Sequence, residues 1–159
     1  MDDIVSAQFV YLKAAVEDST ALFALVGSDL CTAGRVRESF SQALETREAT
    51  YPTGLPVGDG VAIPHADACH VIHDTIAVVT LARPIKFQLM AGVDDGFVDV
   101  STVFVLALKD PDQHLSLLPR VVKSIQDPQF LDSLRVAVDP LRAAELVERA
   151  FLDEDGSAG

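Results

Sequence analysis

One histidine in this chain is presented in a way that suits nucleophilic chemistry. His65 directly follows Pro64 at the end of the apolar run Val61-Ala62-Ile63. Because proline fixes its own φ and confines the preceding residue to extended geometry, the imidazole of His65 leaves the backbone at a defined angle. A neutral imidazole can attack phosphorus, and the N–P bond that forms transfers onward readily. His65 is therefore a candidate phosphoryl carrier, against the alternative of a hydrogen-bonded loop histidine without chemistry.

A second histidine could stabilise a phosphoryl group held there. His114 falls in the first turns of a helix predicted to begin at Asp110 or Pro111. The N-terminal end of a helix has free N–H groups and a positive dipole, which favour phosphate. If the strand predicted over 98–108 lies beside the one over 61–63, this helix start comes near the first histidine. The alternative is a surface histidine on a helix.

Arg47 is the third candidate, and it lies near the end of a predicted helix. A loop rich in glycine and proline follows it over residues 51–60. The planar guanidinium of Arg47 could reach a phosphate at that loop, or it could form a solvated ion pair with a helix neighbour. The glycines at 54, 58 and 60 lack the following lysine of a nucleotide-binding loop, so no nucleotide site is indicated.

A metal site was the remaining alternative. His65, His70 and His73 cluster in the sequence, but their spacing matches no strong zinc signature. Cys31 and Cys69 form neither a Cys-x-x-Cys pair nor a disulfide framework. We therefore expect no metal and no other cofactor.

The elements that must position these residues follow from hydrophobic periodicity and from turn signals. The loop over 51–60 and the proline at 64 limit a short strand between them. Pro119 is expected to kink its helix or to move the start of that helix. The predicted strands are Gln8 to Lys13, Val61 to Ile63, Thr75 to Leu81 and Val98 to Leu108. Of the predicted helices, the first begins near Asp18, the second covers Val36 to Glu48, the third begins near Pro111, and the last two cover Pro128 to Val136 and Pro140 to Leu152.

The length and composition indicate one acidic domain, and the predicted strands interspersed with helices indicate an α/β layered fold. The chain has 159 residues, of which 49% are hydrophobic, enough for a sizeable core. Its formal net charge of -12 argues against nucleic acid as a partner. No apolar stretch approaches the roughly 20 residues that span a bilayer, and the first residues lack a basic signal region. We expect a cytoplasmic protein without membrane insertion, with one domain over 1–152 and a disordered tail over 153–159.

Two segments of the sequence resemble a known family. They are Glu45-Thr46-Arg47-Glu48-Ala49-Thr50-Tyr51-Pro52-Thr53-Gly54-Leu55 with Gly60-Val61-Ala62-Ile63-Pro64-His65-Ala66-Asp67, and Val98 to Leu108 with Asp110-Pro111-Asp112-Gln113-His114-Leu115. Together they resemble the IIA components of the bacterial sugar phosphotransferase system, in the mannitol/fructose class and most closely its galactitol-type branch. The resemblance extends from about Phe9 to Phe151.

This resemblance implies a fold, a reaction and partners. The fold is a mixed β-sheet flanked by helices. His65 would take a phosphoryl group from the carrier HPr and pass it to a cysteine of a IIB component, with or without a IIC permease, for sugar uptake. Arg47 and His114 match residues that surround and stabilise the phosphohistidine, and neither metal nor nucleotide is needed. Some relatives are regulators, so the alternative is a protein whose phosphorylation at His65 controls partner binding.

Overall fold

The computed structural model describes residues 4–90 and 96–152, so the predicted tail over 153–159 lies outside the described residues. Within these ranges, no helix is long and apolar enough to cross a bilayer. In chain order the elements are β1 (Val5–Ala14), α1 (Ser19–Thr32), α2 (Phe40–Thr50), β2 (Gly54–Leu55), β3 (Val61–Ala62), a 3₁₀ turn (Ala68–His70), β4 (Thr75–Gln88), β5 (Phe97–Ala107), α3 (Pro111–Ile125), α4 (Pro128–Val136) and α5 (Pro140–Leu152).

The strands form one mixed sheet of five strands in the order β1-β4-β5-β3-β2. β1 runs parallel to β4, and β4 runs antiparallel to β5. β3 pairs with β5 in parallel and with β2 in the antiparallel sense. The α/β class and the mixed sheet flanked by helices are thus confirmed.

Both faces of the sheet are buried under helices. Along β5, Val103 and Val105 belong to the core that α1 and α2 cover, whereas Phe104 and Leu106 belong to the core under α3, α4 and α5. Successive side chains of a strand point to opposite faces, so a central strand covered on both sides reads as a continuous apolar run. This explains why the second half of β5, from Val103 to Ala107, is continuously apolar in the sequence.

Most predicted elements are confirmed, and α4 and α5 begin and end where the sequence places them. The helix predicted from Val36 begins instead at Phe40, because Val36 pairs with Val71 in an isolated β-bridge. The segment predicted as a loop over 51–60 contains β2. Its glycines and prolines exclude a helix, but they allow a two-residue ladder with β3.

Two prolines, Pro84 and Pro119, lie inside regular elements. β4 does not stop at Leu81, since a shift in its register with β5 between Thr80 and Ile85 accommodates Pro84. Pro119 does not move the start of α3, which runs without a break past it. The missing N–H of Pro119 faces the carbonyl of Leu115, which lies on an exposed part of the helix.

Candidate functional site

The parallel pairing of β3 with β5 fixes the position of His65. After β3, the backbone N–H of Leu106 donates to the carbonyl of Pro64 over 3.0 Å, and His65 forms a β-bridge with Leu106. The imidazole therefore stands at the end of β5, close to where the chain enters α3. The expected adjacency of these two strands is confirmed.

That adjacency brings the two candidate histidines together. The ring centroids of His65 and His114 are 4.8 Å apart, and the ring planes are inclined by 57°. Both side chains are partly buried. A group held between the two rings would thus be in contact with both while remaining open to a partner on the solvent side.

The hydrogen bond at Nδ1 of His65 sets the tautomer of this ring. Nδ1 lies 3.0 Å from the carbonyl oxygen of Ile63. Because a carbonyl oxygen can only accept, Nδ1 carries the proton and Nε2 keeps its lone pair. Burial lowers the pKa of His65, and the bond to Ile63 opposes this; the charge of Arg47, and that of His114 when it is protonated, lower the pKa further, while Asp67 raises it. The neutral, nucleophilic ring is therefore favoured near neutral pH.

His114 reaches the site as a side chain, while the backbone at the start of α3 is already engaged. The carboxylate of Asp110 accepts from the N–H of Asp112 over 2.9 Å, and the carbonyl of Asp110 accepts from the N–H of His114 over 3.1 Å. Pro111 has no N–H to offer. The N–H groups of Asp112 and His114 are therefore engaged within the helix start. Burial, followed by the charge of Arg47, lowers the pKa of His114, so its ring is a neutral donor.

Arg47 lies close enough to both rings for its charge to lower both of their pKa values. Its Nη1 is 3.2 Å from Oδ1 of Asp67, and its guanidinium carbon lies 5.1 Å from the ring centroid of Tyr51. The ion pair is thus formed across the fold and not with a helix neighbour. The Nε of Arg47 is buried and has no hydrogen-bond partner among the described residues.

The other two histidines have different neighbours, although His70 lines the same cavity as Arg47 and Asp67. Nδ1 of His70 is 2.7 Å from the hydroxyl of Ser39, and His73 is exposed in the turn before β4. Over residues 4–90 and 96–152, no group of three or more histidine, cysteine or acidic side chains could hold a metal ion. His65, His70 and His73, which cluster in the sequence, are therefore not brought together as such a group in this part of the chain.

Sequence reasoning missed two polar residues that lie behind the site. Glu48 accepts hydrogen bonds from the backbone and the hydroxyl of Thr53, and that hydroxyl accepts from the N–H of Ile63. The feature of the sequence that could have drawn attention to Glu48 is its position in the last turn of α2, where the helix dipole disfavours an anion. A carboxylate in such a position indicates a specific partner.

The chain is similar to known proteins over almost its whole length. Residues 3–150 match the family described as "Phosphoenolpyruvate-dependent sugar phosphotransferase system, EIIA 2". The galactitol-specific EIIA component of Escherichia coli (strain K12) is 30% identical over 149 residues, which cover 92% of this chain and 97% of that protein. The mannitol-specific phosphotransferase enzyme IIA component of Staphylococcus aureus (strain N315) is 28% identical over 159 residues, covering 98% and 99% of the two chains.

A solved structure shares the fold. It is the Escherichia coli complex of enzyme IIAMTL with phosphorylated enzyme IIBMTL, matched with a TM-score of 0.71 and 19% identity over 91% of this chain and 98% of that chain. The chain therefore belongs to the EIIA 2 family of the phosphoenolpyruvate-dependent sugar phosphotransferase system.

Proposed function

We propose that this chain is a phosphocarrier of sugar uptake, which accepts a phosphoryl group from phospho-HPr on His65 and donates it to a cysteine of a IIB component. The observation that carries the proposal is the free lone pair on Nε2 of His65, held beside His114 and Arg47. A neutral nucleophile with a cation and a second imidazole nearby is a suitable setting for phosphoryl transfer.

The transfer needs no proton to leave the attacking nitrogen. The lone pair of Nε2 forms a bond to phosphorus, and the bond from phosphorus to the donor breaks, leaving its electron pair on the donor. The proton on Nδ1 stays in its hydrogen bond to the carbonyl of Ile63 throughout. In the second step a cysteine thiolate of IIB attacks phosphorus, and the N–P electrons return to His65.

Charge stabilisation falls to side chains. A phosphoryl group adds about 1.5 to 2 negative charges. Arg47 offers a guanidinium whose Nε is unpartnered among the described residues, and the neutral ring of His114 offers one N–H. Because Asp67 is 74% exposed, its pairing with Arg47 is solvated and easily exchanged for a pairing with phosphate.

The surface around the site supports a protein as donor and acceptor. Tyr51, which stacks near Arg47, is 60% exposed, and Leu115, next to His114, is 71% exposed. Exposed apolar side chains beside a reactive group are suited to docking a macromolecule. The solved IIAMTL relative was captured with a phosphorylated IIB protein, and the galactitol-specific relative makes a galactitol-type IIB the first acceptor to test.

The test is incubation with phosphoenolpyruvate, enzyme I and HPr. We expect one acid-labile phosphoryl group on Nε2 of His65, identified by ³¹P and ¹⁵N NMR, and none on His65→Ala. Addition of a galactitol-type IIB should then discharge the phosphorylated protein. A label that survives His65→Ala would contradict the assignment. A phosphorylated protein that no IIB of its own organism discharges would instead favour the regulatory alternative.

A further inference from the structure

The carboxylate of Glu48, behind the site, accepts hydrogen bonds from Thr53. Its Oε2 accepts from the backbone N–H of Thr53 over 2.7 Å, and its Oε1 accepts from the Thr53 hydroxyl over 2.9 Å. Glu48 is partly buried, and Thr53 is only 3% exposed. Burial raises the pKa of Glu48, while the two bonds from Thr53 oppose that rise. The pair therefore joins the last turn of α2 to the start of β2 inside the protein.

This pairing gives the Thr53 hydroxyl a fixed direction. A hydroxyl has one hydrogen to donate, and here it is donated to the carboxylate of Glu48. The lone pairs of the oxygen then face the backbone N–H of Ile63, which donates to it over 3.2 Å. Without the acceptor on Glu48, the hydroxyl could rotate and present its hydrogen elsewhere.

The backbone of Ile63 connects the Thr53 hydroxyl to the imidazole of His65 through two hydrogen bonds. Its N–H is held by Thr53, and the following Pro64 restricts its backbone to extended geometry. Its carbonyl is therefore aimed in one direction, where it accepts the proton of Nδ1 of His65 over 3.0 Å. The chain of contacts thus runs from Glu48 through Thr53 and Ile63 to the imidazole.

We propose that Glu48 and Thr53 are positioning residues that hold His65 in the tautomer with its proton on Nδ1 and its lone pair on Nε2. The proposal rests on the proposed function, because this tautomer is needed only if Nε2 of His65 accepts a phosphoryl group. Neither residue touches the phosphoryl group. They act by aiming one carbonyl, in the way that outer residues orient the histidine ligands of metal sites.

The same contacts could instead only anchor the end of α2 to β2. A purely structural role would change stability but would leave the tautomer of His65 unaltered in any variant that folds. The imidazole ¹⁵N shifts of the unphosphorylated protein distinguish the two roles, because they report directly which ring nitrogen carries the proton. They also need no phosphoryl donor, so they can succeed or fail independently of the proposed function.

The experiment compares three variants with the parent protein. Thr53→Val keeps the side-chain shape and removes the hydroxyl, whereas Thr53→Ser keeps the hydroxyl. Glu48→Gln keeps the length of the side chain and removes its charge. We expect Thr53→Val and Glu48→Gln to lose the uniform Nδ1–H tautomer and to accept phosphoryl about 10- to 100-fold more slowly. Thr53→Ser should retain the parent tautomer and a rate close to that of the parent.

Two results would overturn the proposal. One is a folded Thr53→Val protein in which both the imidazole ¹⁵N shifts and the acceptance rate equal those of the parent. The other is a Thr53→Ser protein as impaired as Thr53→Val, which would assign the effect to packing. If the tautomer responds as expected but HPr phosphorylates none of the proteins, the positioning role stands and the proposed function fails. If Thr53→Val does not fold, Glu48→Gln takes its place in both comparisons. A folded Glu48→Gln protein with the ¹⁵N shifts and acceptance rate of the parent, or a Thr53→Ser protein as impaired as Glu48→Gln, would then overturn the proposal.

Discussion

At the scale of single residues, His65 and His114 differ in their surroundings, and we expect them to differ in function for that reason. Nδ1 of His65 is bound by a backbone carbonyl, so Nε2 is left as a nucleophile. His114 enters from the first turns of α3, and its backbone N–H is already used within the helix. Burial lowers the pKa of both rings, so both are neutral near neutral pH. One ring is thereby suited to carry the phosphoryl group and the other to donate a hydrogen bond to it.

The role of His114 can be tested by removing its ring. We expect His114→Ala to accept and donate phosphoryl about 100-fold more slowly, because a preorganised donor to the developing charge is lost. The fold should be retained, since the side chain is only partly buried at the start of a helix. Transfer rates from phospho-HPr and to IIB, with the melting temperature measured in parallel, provide the check.

The matched control is His73→Ala, which removes an exposed histidine from the turn before β4. Its transfer rates should equal those of the parent protein. A folded His114→Ala protein with unchanged rates in both directions would exclude His114 from the site.

The sequence predicted the candidate site residues but not all of the contacts that they make. Pro64 and His65 are adjacent in the chain, so their geometry follows from local rules. The ion pair of Arg47 with Asp67 joins residues from α2 and from the segment after β3, and no local pattern encodes it. For the same reason the ion pair considered for Arg47 from the sequence was one with a helix neighbour, and the link between Glu48 and Thr53 was not predicted.

At the scale of elements, Gly60 allows the connection from β2 to β3 to approach β5 closely. Gly60 has a φ of +92°, and its carbonyl accepts from the N–H of Ser101 over 3.0 Å. A Cβ at this position would collide with the backbone of Asp99. The chain therefore approaches β5 closely enough to form β3 and to deliver His65 only because residue 60 has no side chain.

Gly60→Ala should therefore destabilise the protein more than a strained φ alone would. Gly34 is a suitable control, because it has a φ of +78° at the end of α1 and open space around its Cβ position. We expect Gly34→Ala to cost about 1 to 2 kcal/mol of unfolding free energy. Gly60→Ala should cost clearly more, since backbone overlap is added to the strain, and it should also slow phosphoryl acceptance. Urea denaturation and transfer rates measure both effects; equal losses in the two variants would show that the close approach is unimportant.

Elements with a strong periodic pattern were predictable, whereas those made by distant pairing were not. α4 and α5 combine capping signals with an apolar stripe, and their bounds were found correctly. β2 has two residues and exists only because β3 lies beside it. Likewise Val36 looks helical by its spacing, but its bridge to Val71 lies beyond the reach of local reasoning.

At the scale of the whole molecule, the site places two neutral histidines and an arginine in a strongly acidic protein. The formal net charge is -12, with 12 basic side chains against 24 acidic ones. Phosphorylation adds about 1.5 to 2 negative charges. Unless these charges are paired locally, they increase the electrostatic repulsion within an already acidic protein. We expect Arg47 to pair with this added charge, so that its proposed role concerns the molecule as well as the reaction.

The two histidines also link folding to pH. Their folded-state pKa values lie below the 6.5 of an unperturbed histidine, chiefly because of burial. The unfolded chain therefore binds more protons than the folded one between 6.5 and the lowered values. The stability that these rings contribute is complete above pH 6.5 and is lost as the pH falls through the lowered pKa values. The parent protein should thus become less stable on acidification in this range.

A variant that cannot protonate at either ring isolates this effect. His65→Gln combined with His114→Gln should lose less stability than the parent between about pH 8 and about pH 5.5. Glu48, whose pKa is raised by burial, contributes with the opposite sign, but it is present in both proteins and cancels in the difference. Unfolding free energies from urea titrations at several pH values give the two curves. Parallel curves would mean that the two rings titrate alike in the folded and unfolded states, so that burial would not be what keeps His65 neutral and nucleophilic.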